Sequence, residues 1–329
     1  TNISKPTRKK MPEAAPELYS LTGKRVWVAG HRGMVGSAIV RRLESEDCEV
    51  LSATRDQLDL CDQGAVNAWM AREKPDAVFL AAATVGGIHA NRSRPADFIY
   101  NNLSIETNII HAAFTNDVGK LMFLGSSCIY PKLAPQPMRE EDLLGGPLEP
   151  TNQWYAIAKI AGIMLCQAYR QQHGCNFISA QPTNLYGIGD NFDLQSSHVL
   201  PALMAKAHTA KTDGAPSMEV WGSGNAKREF LFADDLADAL VHLMKVYSDD
   251  IQINVGTGKD IAIREVAEMV CQVVGFAGDL DFDSSMPDGA PRKLLNVDRL
   301  TDMGWTAKTS LEDGLRQTYG WYLENTINA

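Results

Sequence analysis

The fold is decided by one stretch near the start of the chain, Arg25-Val-Trp-Val-Ala29-Gly30-His-Arg-Gly33-Met-Val-Gly36. Its first residues are mostly apolar and predict a buried strand, and the amphipathic pattern over 37–46 predicts a helix. Glycines between a strand and a helix let the backbone approach a pyrophosphate, which then binds the free N–H groups at the helix N-terminus. The spacing is G-x-x-G-x-x-G instead of G-x-G-x-x-G, but the flanking elements are those that a dinucleotide site requires.

Strands and helices continue to alternate beyond this stretch. Apolar runs and helical periodicity predict strands over 49–53, 76–83, 120–125, 176–181 and 251–255, and helices over 95–116, 152–173 and 199–208. This alternation is typical of an α/β protein with a doubly wound parallel sheet, the Rossmann architecture.

The domain organisation follows from the same pattern and from the change that comes after Gly187. We expect a flexible leader at 1–22 and a Rossmann domain over 23–187 and 228–258, with Arg228 beginning the return to the sheet. The remaining segments, 188–227 and 259–329, are expected to form a smaller discontinuous α/β domain for the substrate.

Composition excludes several classes of function. The chain has 329 residues, 45% of them hydrophobic and 22% charged, which is ordinary for a globular protein with a sizeable core. A net charge of −9 argues against nucleic acid and anionic membranes as partners. The six cysteines form no C-x-x-C pair and no Cys/His metal spacing, so we expect reduced thiols, no metal site and a cytoplasmic location.

The end of the second predicted strand indicates which cofactor is bound. NAD sites usually place an acidic residue there for the ribose 2′-OH, whereas an arginine suits a 2′-phosphate. Arg55 occupies this position, and Arg32 in the glycine loop can join it. The sequence therefore predicts NADP(H), although both arginines could also be surface residues, since Asp56 is adjacent.

A second group of residues carries the chemistry. Tyr155 and Lys159 are four residues apart, so a helix places both on one face, where the ammonium is expected to lower the pKa of the phenol. Ser126 follows the strand over 120–125, at the sheet edge where open α/β proteins bind ligands. It can hydrogen-bond a carbonyl of the substrate beside Tyr155, and Cys128 adds a possible base.

These motifs resemble those of the extended short-chain dehydrogenase/reductase family of sugar-nucleotide enzymes, and more narrowly its GDP-L-fucose synthase branch, over about residues 24–325. Besides the glycine loop, the segments that carry the resemblance are Gly125-Ser-Ser-Cys-Ile-Tyr-Pro-Lys132, Glu149-Pro-Thr-Asn152, Tyr155-Ala-Ile-Ala-Lys-Ile-Ala-Gly162, Pro182-Thr-Asn-Leu-Tyr-Gly187, Ser197-His-Val199, Trp221-Gly-Ser-Gly224 and Pro287-Asp-Gly-Ala-Pro-Arg-Lys293.

The resemblance implies an NADPH-dependent enzyme that epimerises C3 and C5 of GDP-4-keto-6-deoxy-mannose and then reduces C4. It implies that Ser126 and Tyr155 hold the ketone oxygen, Cys128 is the base and His198 the acid, and Lys159 assists Tyr155 and grips the nicotinamide ribose. It also implies a homodimer formed through the helices over 95–116 and 152–173.

The same resemblance assigns two sets of binding residues. The cofactor set is Gly30, Arg32, Gly33, Met34, Val35, Gly36, Arg55, Leu124, Ser126, Tyr155, Lys159, Pro182, Asn184, Leu185 and His198. The substrate set is Ser127, Asn184, Lys206, Trp221, Arg228, Asp288 and Lys293, in which Trp221 could equally be a core aromatic.

Two other functions remain open from the residues alone. A 5-epimerase/4-reductase that acts on the 3,6-dideoxy sugar and forms GDP-L-colitose would share the Cys, His, Tyr and Lys residues. A non-catalytic NADPH-sensing module of the same fold would generally lose the Tyr/Lys pair that this chain keeps. A 4,6-dehydratase is disfavoured, because it would carry an acidic residue where Ser127-Cys128 stands.

Overall fold

The structure is a computed structural model and describes residues 15–194, 196–286 and 288–327. Its strands are β1 Lys24–Ala29, β2 Cys48–Leu51, β3 Ala77–Leu80, β4 Lys120–Leu124, β5 Phe177–Pro182, β6 Asn184–Tyr186, β7 Ser217–Trp221, β8 Lys227–Phe232, β9 Ile253–Val255, β10 Asp260–Ala262, β11 Asp279–Asp283 and β12 Arg292–Lys293. Its α-helices are α1 Met34–Leu43, α2 Gln63–Glu73, α3 Ile88–Ser93, α4 Pro95–Thr115, α5 Gln153–His173, α6 Val199–Thr212, α7 Ala233–Val246, α8 Ile263–Val274, α9 Asp298–Asp302 and α10 Leu311–Tyr322.

The main sheet has six strands in the order β2-β1-β3-β4-β5-β9, and all of its pairings are parallel. The order reverses between β1 and β3, and an open α/β sheet binds its ligands at such a reversal, beyond the carboxyl ends of the strands. The prediction of a doubly wound parallel sheet is confirmed.

Alternate residues of each strand point to opposite faces of this sheet, which creates two cores. Val78 and Phe123 face the core formed with α2, α4 and α5. Phe79 and Met122 face the core formed with α1 and α7. A third core lies outside the sheet, among α6, α8, α10, β7 and β8.

One glycine sets how closely helix α5 approaches the sheet. A Cβ at Gly162 would lie 2.3 Å from the ring of Phe123 on β4, so only glycine lets the two elements come this close. Because α5 carries Tyr155 and Lys159, this contact fixes their height above the carboxyl end of β4.

The leader prediction is wrong from Leu18 onward; residues 1–14 lie outside the described residues. The N–H groups of Leu18 and Tyr19 both donate to the carbonyl of Lys245, and Leu21 is buried in the core beside α1 and α7. This short apolar segment is therefore part of the folded domain. The sequence did not indicate this segment, because the Pro, Lys and Glu residues before it dominate the composition of 1–22.

The prediction that the chain returns to the main sheet at Arg228 is also wrong. Strand β8 pairs with β10, β12 and β6 in a separate four-stranded sheet, and the return comes with α7, which packs against α1. Buried Glu229 fixes β8 there, since its carboxylate accepts the N–H groups of Thr257 at 2.6 Å, Gly258 at 2.7 Å and Leu295 at 2.9 Å.

Part of the predicted substrate segment 259–329 lies against the main sheet instead, because Leu300 and Trp305 pack into the core beside α1 and α7. Among the helices of the described ranges, none combines the length and the apolar character that crossing a membrane would require.

Candidate active site

A single cleft of about 1490 Å³ runs along the carboxyl edge of the main sheet and on to the second sheet. It is larger than the roughly 300–1,000 Å³ of a typical small-molecule pocket. At the end lined by the glycine loop lie Gly30, Arg32, Gly33, Met34, Val35, Gly36 and Arg55, with Leu124, Pro182, Asn184 and Leu185 from the strand ends beside them. The remaining predicted residues that line it are Ser126, Ser127, Cys128, Tyr155, Lys159, His198, Lys206, Trp221, Arg228, Asp288 and Lys293.

Two of the three glycines in the loop, Gly30 and Gly36, leave no room for a side chain. Gly30 has φ +91°, which side chains rarely allow, and a Cβ at Gly36 would lie 2.0 Å from the carbonyl oxygen of Gly30. Gly33 caps helix α1, which begins at Met34, three residues earlier than predicted, because the last glycine of the loop already belongs to the helix. The free N–H groups of this first turn border the cleft and suit a pyrophosphate.

Arg32 and Arg55 are both exposed and both line this end of the cleft, whereas Asp56 does not line it. The surface therefore presents two guanidinium groups to a ligand and keeps the carboxylate next to Arg55 out of the cleft. Guanidinium groups match the geometry and charge of a phosphate.

The centre of the cleft is built where strand β4 meets helix α5. Ser126 follows β4, and its N–H donates to Oε1 of Gln181 at 2.8 Å, while its Oγ accepts the N–H of Cys128 at 3.2 Å. Tyr155 lies in the first turn of α5 at the cleft wall. The side chain of Gln181 and the backbone N–H of Cys128 thus hold the serine next to the tyrosine, with which its hydroxyl forms a hydrogen bond.

The predicted lowering of the pKa of Tyr155 is wrong. Burial raises this pKa, the negative charges of Cys128 and Glu106 raise it further, and the Ser126 hydroxyl only partly opposes them. The prediction failed mainly because burial of the phenol raises its pKa, and because Nζ of Lys159 is already paired with Oε1 of Glu106 at 2.9 Å, in an ion pair whose side chains are 2% and 1% exposed. Tyr155 therefore stays a protonated phenol near neutral pH.

Two side-chain nitrogen atoms lie close to the sulfur of Cys128. Nδ2 of Asn152 donates to its Sγ at 3.2 Å, and Nζ of Lys293 lies 3.7 Å from the same sulfur. Lys293, predicted for the nucleotide end of the substrate, therefore lies beside the predicted base. Burial among protein atoms lowers the pKa of His198, which lines the same cleft, and the positive charge of Lys293 lowers it further.

The far end of the cleft is polar and aromatic. Trp221 is 53% exposed, so it is not a core aromatic residue. Nζ of Lys206 lies 4.7 Å from the centroid of its ring. Arg228 donates to the carbonyl of Asp288 at 3.0 Å, and the carboxylate of Asp288 accepts from the N–H and hydroxyl of Ser223, both at 2.7 Å. Pro287, in the same motif, lies outside the described residues.

Sequence reasoning missed three residues of this site: Glu106, Asn152 and Gln181. Glu106 and Gln181 reach the site from α4 and β5, and no local spacing links them to Tyr155 or Ser126. Asn152 belongs to the motif Glu149-Pro-Thr-Asn152, but its position in the sequence indicates only the start of a helix.

Comparison with known proteins identifies the family. The family model described as the NAD dependent epimerase/dehydratase family matches residues 26–256. A GDP-L-fucose synthase of Sinorhizobium fredii is 61% identical over 94% of this chain and 99% of its own length. A GDP-L-colitose synthase of Yersinia pseudotuberculosis is 37% identical over 92% of this chain and 99% of its own length.

A solved GDP-L-fucose synthetase from Naegleria fowleri, bound to NADP, superimposes with a TM-score of 0.87 at 28% identity, over 96% of this chain and 99% of that one. The chain belongs to the NAD dependent epimerase/dehydratase family and, within it, to the GDP-L-fucose synthases of the extended short-chain dehydrogenases/reductases.

Proposed function

We propose that this chain is an NADPH-dependent GDP-4-keto-6-deoxy-mannose 3,5-epimerase/4-reductase that forms GDP-L-fucose. The 61% identity to a GDP-L-fucose synthase over 94% of the chain supports the substrate. The observation that carries the two-part reaction is one shared cleft, lined by Cys128 and His198 for proton transfer and by Tyr155 for reduction.

Each residue at the centre of the cleft has its own role in the reaction. Hydrogens next to a ketone are acidic because the enolate places its charge on the carbonyl oxygen, which Ser126 and Tyr155 hold. Cys128 removes such a proton and His198 returns one to the other face of the ring, which inverts the carbon. Bound NADPH supplies the hydride that reduces the ketone. Tyr155 then gives its proton to the oxygen, a role that suits a phenol whose raised pKa keeps it protonated.

The decisive experiment is product analysis after incubation with NADPH and each of two substrates. We expect GDP-4-keto-6-deoxy-mannose to give GDP-L-fucose and to be preferred over GDP-4-keto-3,6-dideoxy-mannose. Preference for the dideoxy substrate would instead support the GDP-L-colitose reaction, whose relative is 37% identical. Failure to oxidise NADPH with either substrate would leave only the non-catalytic sensing module.

We propose NADP(H) as the cofactor, supported by the glycine cradle and by Arg32 and Arg55 at the cleft. Replacing Arg55 with alanine should weaken NADPH binding by roughly 10- to 100-fold, the value of a charge-assisted hydrogen bond, and should barely change NADH binding. Titration of each cofactor by fluorescence measures this, with Asp56→Ala as the matched control that changes neither affinity. An equal loss for NADPH and NADH would contradict the assignment.

We propose a homodimer through helices α4 and α5. The two helices pack on each other, and their outer surface exposes Tyr100, Trp154, Ile157 and Met164, with exposed fractions of 69%, 41%, 39% and 37%. The last three share one helical face, because they follow at helical spacing. Light scattering after size exclusion should give the mass of two chains, and Ile157→Asp should shift it towards one; an unchanged mass in that variant would contradict this interface.

We also propose a cytoplasmic location. All six cysteines are free, and the mechanism needs Cys128 as a thiol or thiolate. A reducing compartment preserves both this state and NADPH.

A further inference from the structure

The side chain of Asn152 does not cap the helix that follows it. Asn152 is the residue before helix α5, where asparagine normally accepts an N–H of the first turn with its side-chain oxygen. Here it makes no such capping bond. Instead its Nδ2 donates to Sγ of Cys128 at 3.2 Å, and its Oδ1 is buried without a hydrogen-bond partner in the described part of the chain.

A helix loses stability when its capping bond is not made, and so does a fold that buries an unpaired polar oxygen. Helix stability therefore does not explain this side chain. The contact that points to function is with the sulfur of Cys128, and Nζ of Lys293 on strand β12 of the second sheet lies 3.7 Å from the same atom.

We propose that Asn152 and Lys293 are positioning residues that hold Cys128 as a thiolate directed at the sugar ring. The inference rests on the proposed function, because it assumes that Cys128 is the epimerisation base. An N–H donor fixes the direction of the sulfur, and an ammonium nearby favours its negative charge.

Charged groups of both signs lie near the sulfur. Burial lowers the pKa of Arg228 on β8, whereas the negative charges of Asp288, Cys128 and Glu149 each raise it. Arg228 therefore adds a positive charge that favours the thiolate, and Glu149 adds a negative charge beside Arg228. On the α5 side, the phenol of Tyr155 is neutral while its pKa is raised. His198 lines the same cleft, and burial, followed by the positive charge of Lys293, lowers its pKa.

The test is the pH dependence of alkylation of Cys128 by iodoacetamide in the full-length enzyme, followed by mass spectrometry of the peptide that contains it. The pH at which alkylation reaches half of its maximal rate is the midpoint. Lys293→Met should raise this midpoint by roughly one to three pH units, which is the effect of removing a nearby opposite charge. Lys293→Arg should keep it close to the wild-type value. Asn152→Ala should move it upward by a smaller amount, and Asn152→Asp by more, because a carboxylate would repel the thiolate.

Lys227→Met is the matched control, since Lys227 is exposed and lies on β8 next to Arg228. Its midpoint should equal the wild-type value. Wild-type midpoints in both Lys293→Met and Asn152→Ala would overturn the proposal, and NADPH binding checks that each variant is folded. The alkylation needs no sugar nucleotide, so its result does not depend on the product analysis. A failed product analysis would overturn the proposed function and would leave the alkylation result unchanged.

Discussion

Replacing Cys128 with serine is expected to slow solvent-deuterium incorporation beside the ketone of the substrate by roughly 10²- to 10⁴-fold, the usual contribution of a general base. Serine has nearly the same shape, but its hydroxyl does not ionise near neutral pH. The contacts of Asn152 and Lys293 with the sulfur would then meet an uncharged group. The measurement is mass spectrometry of the substrate after incubation in D₂O with the cofactor bound.

The matched control is Tyr155→Phe, which should show the opposite pattern. It removes the proton that the ketone oxygen receives on reduction, so NADPH oxidation should fall by roughly 10²- to 10⁴-fold. Deuterium incorporation should fall less, because Ser126 still holds the oxygen. If Cys128→Ser exchanged deuterium at the wild-type rate, Cys128 would be removed from the mechanism, whatever happened in the tyrosine variant.

The sequence predicts the part of this site that depends on local spacing. The glycine loop needs only a strand before it and a helix after it, and Tyr155 and Lys159 need only one helix turn. Helix α5 begins at Gln153 and ends at His173, where the periodicity placed it. All of the predicted site residues line one cleft. The glycine loop, Arg55, Leu124, Ser126 and Pro182 do so because strand ends of a parallel sheet meet at one edge.

What the sequence does not predict depends on contacts between distant elements. The raised pKa of Tyr155 could not be foreseen, because it comes from burial in the folded chain and from the charges of Cys128 and of Glu106, which lies on α4. The sheet assignment of β8 depends on Glu229, whose backbone donors lie on two later loops. The position of Lys293 beside Cys128, instead of at the nucleotide end, likewise depends on how the second sheet packs over the first.

Replacing Glu106 with leucine is expected to destabilise the protein by roughly 3–5 kcal/mol, the cost of breaking a buried ion pair by removing one partner. Lys159 is 2% exposed and its ammonium lies 2.9 Å from Glu106, so the variant would leave a buried charge without its counter-ion. The ring of Phe123 also lies close, with its centroid 4.7 Å from Nζ, but an aromatic ring cannot replace a carboxylate. Chemical denaturation, followed by circular dichroism, measures the loss.

The double variant Glu106→Leu/Lys159→Met separates structure from catalysis. A buried ion pair replaced by apolar side chains of similar volume is often neutral or stabilising, so most of the lost stability should return. Reductase activity should not return, because no ammonium is left at the cleft beside Tyr155. A double variant no more stable than Glu106→Leu would mean that the glutamate acts through packing alone. Recovery of both stability and activity would show that Lys159 serves α5 as a structural partner of α4 and takes no part in the reduction.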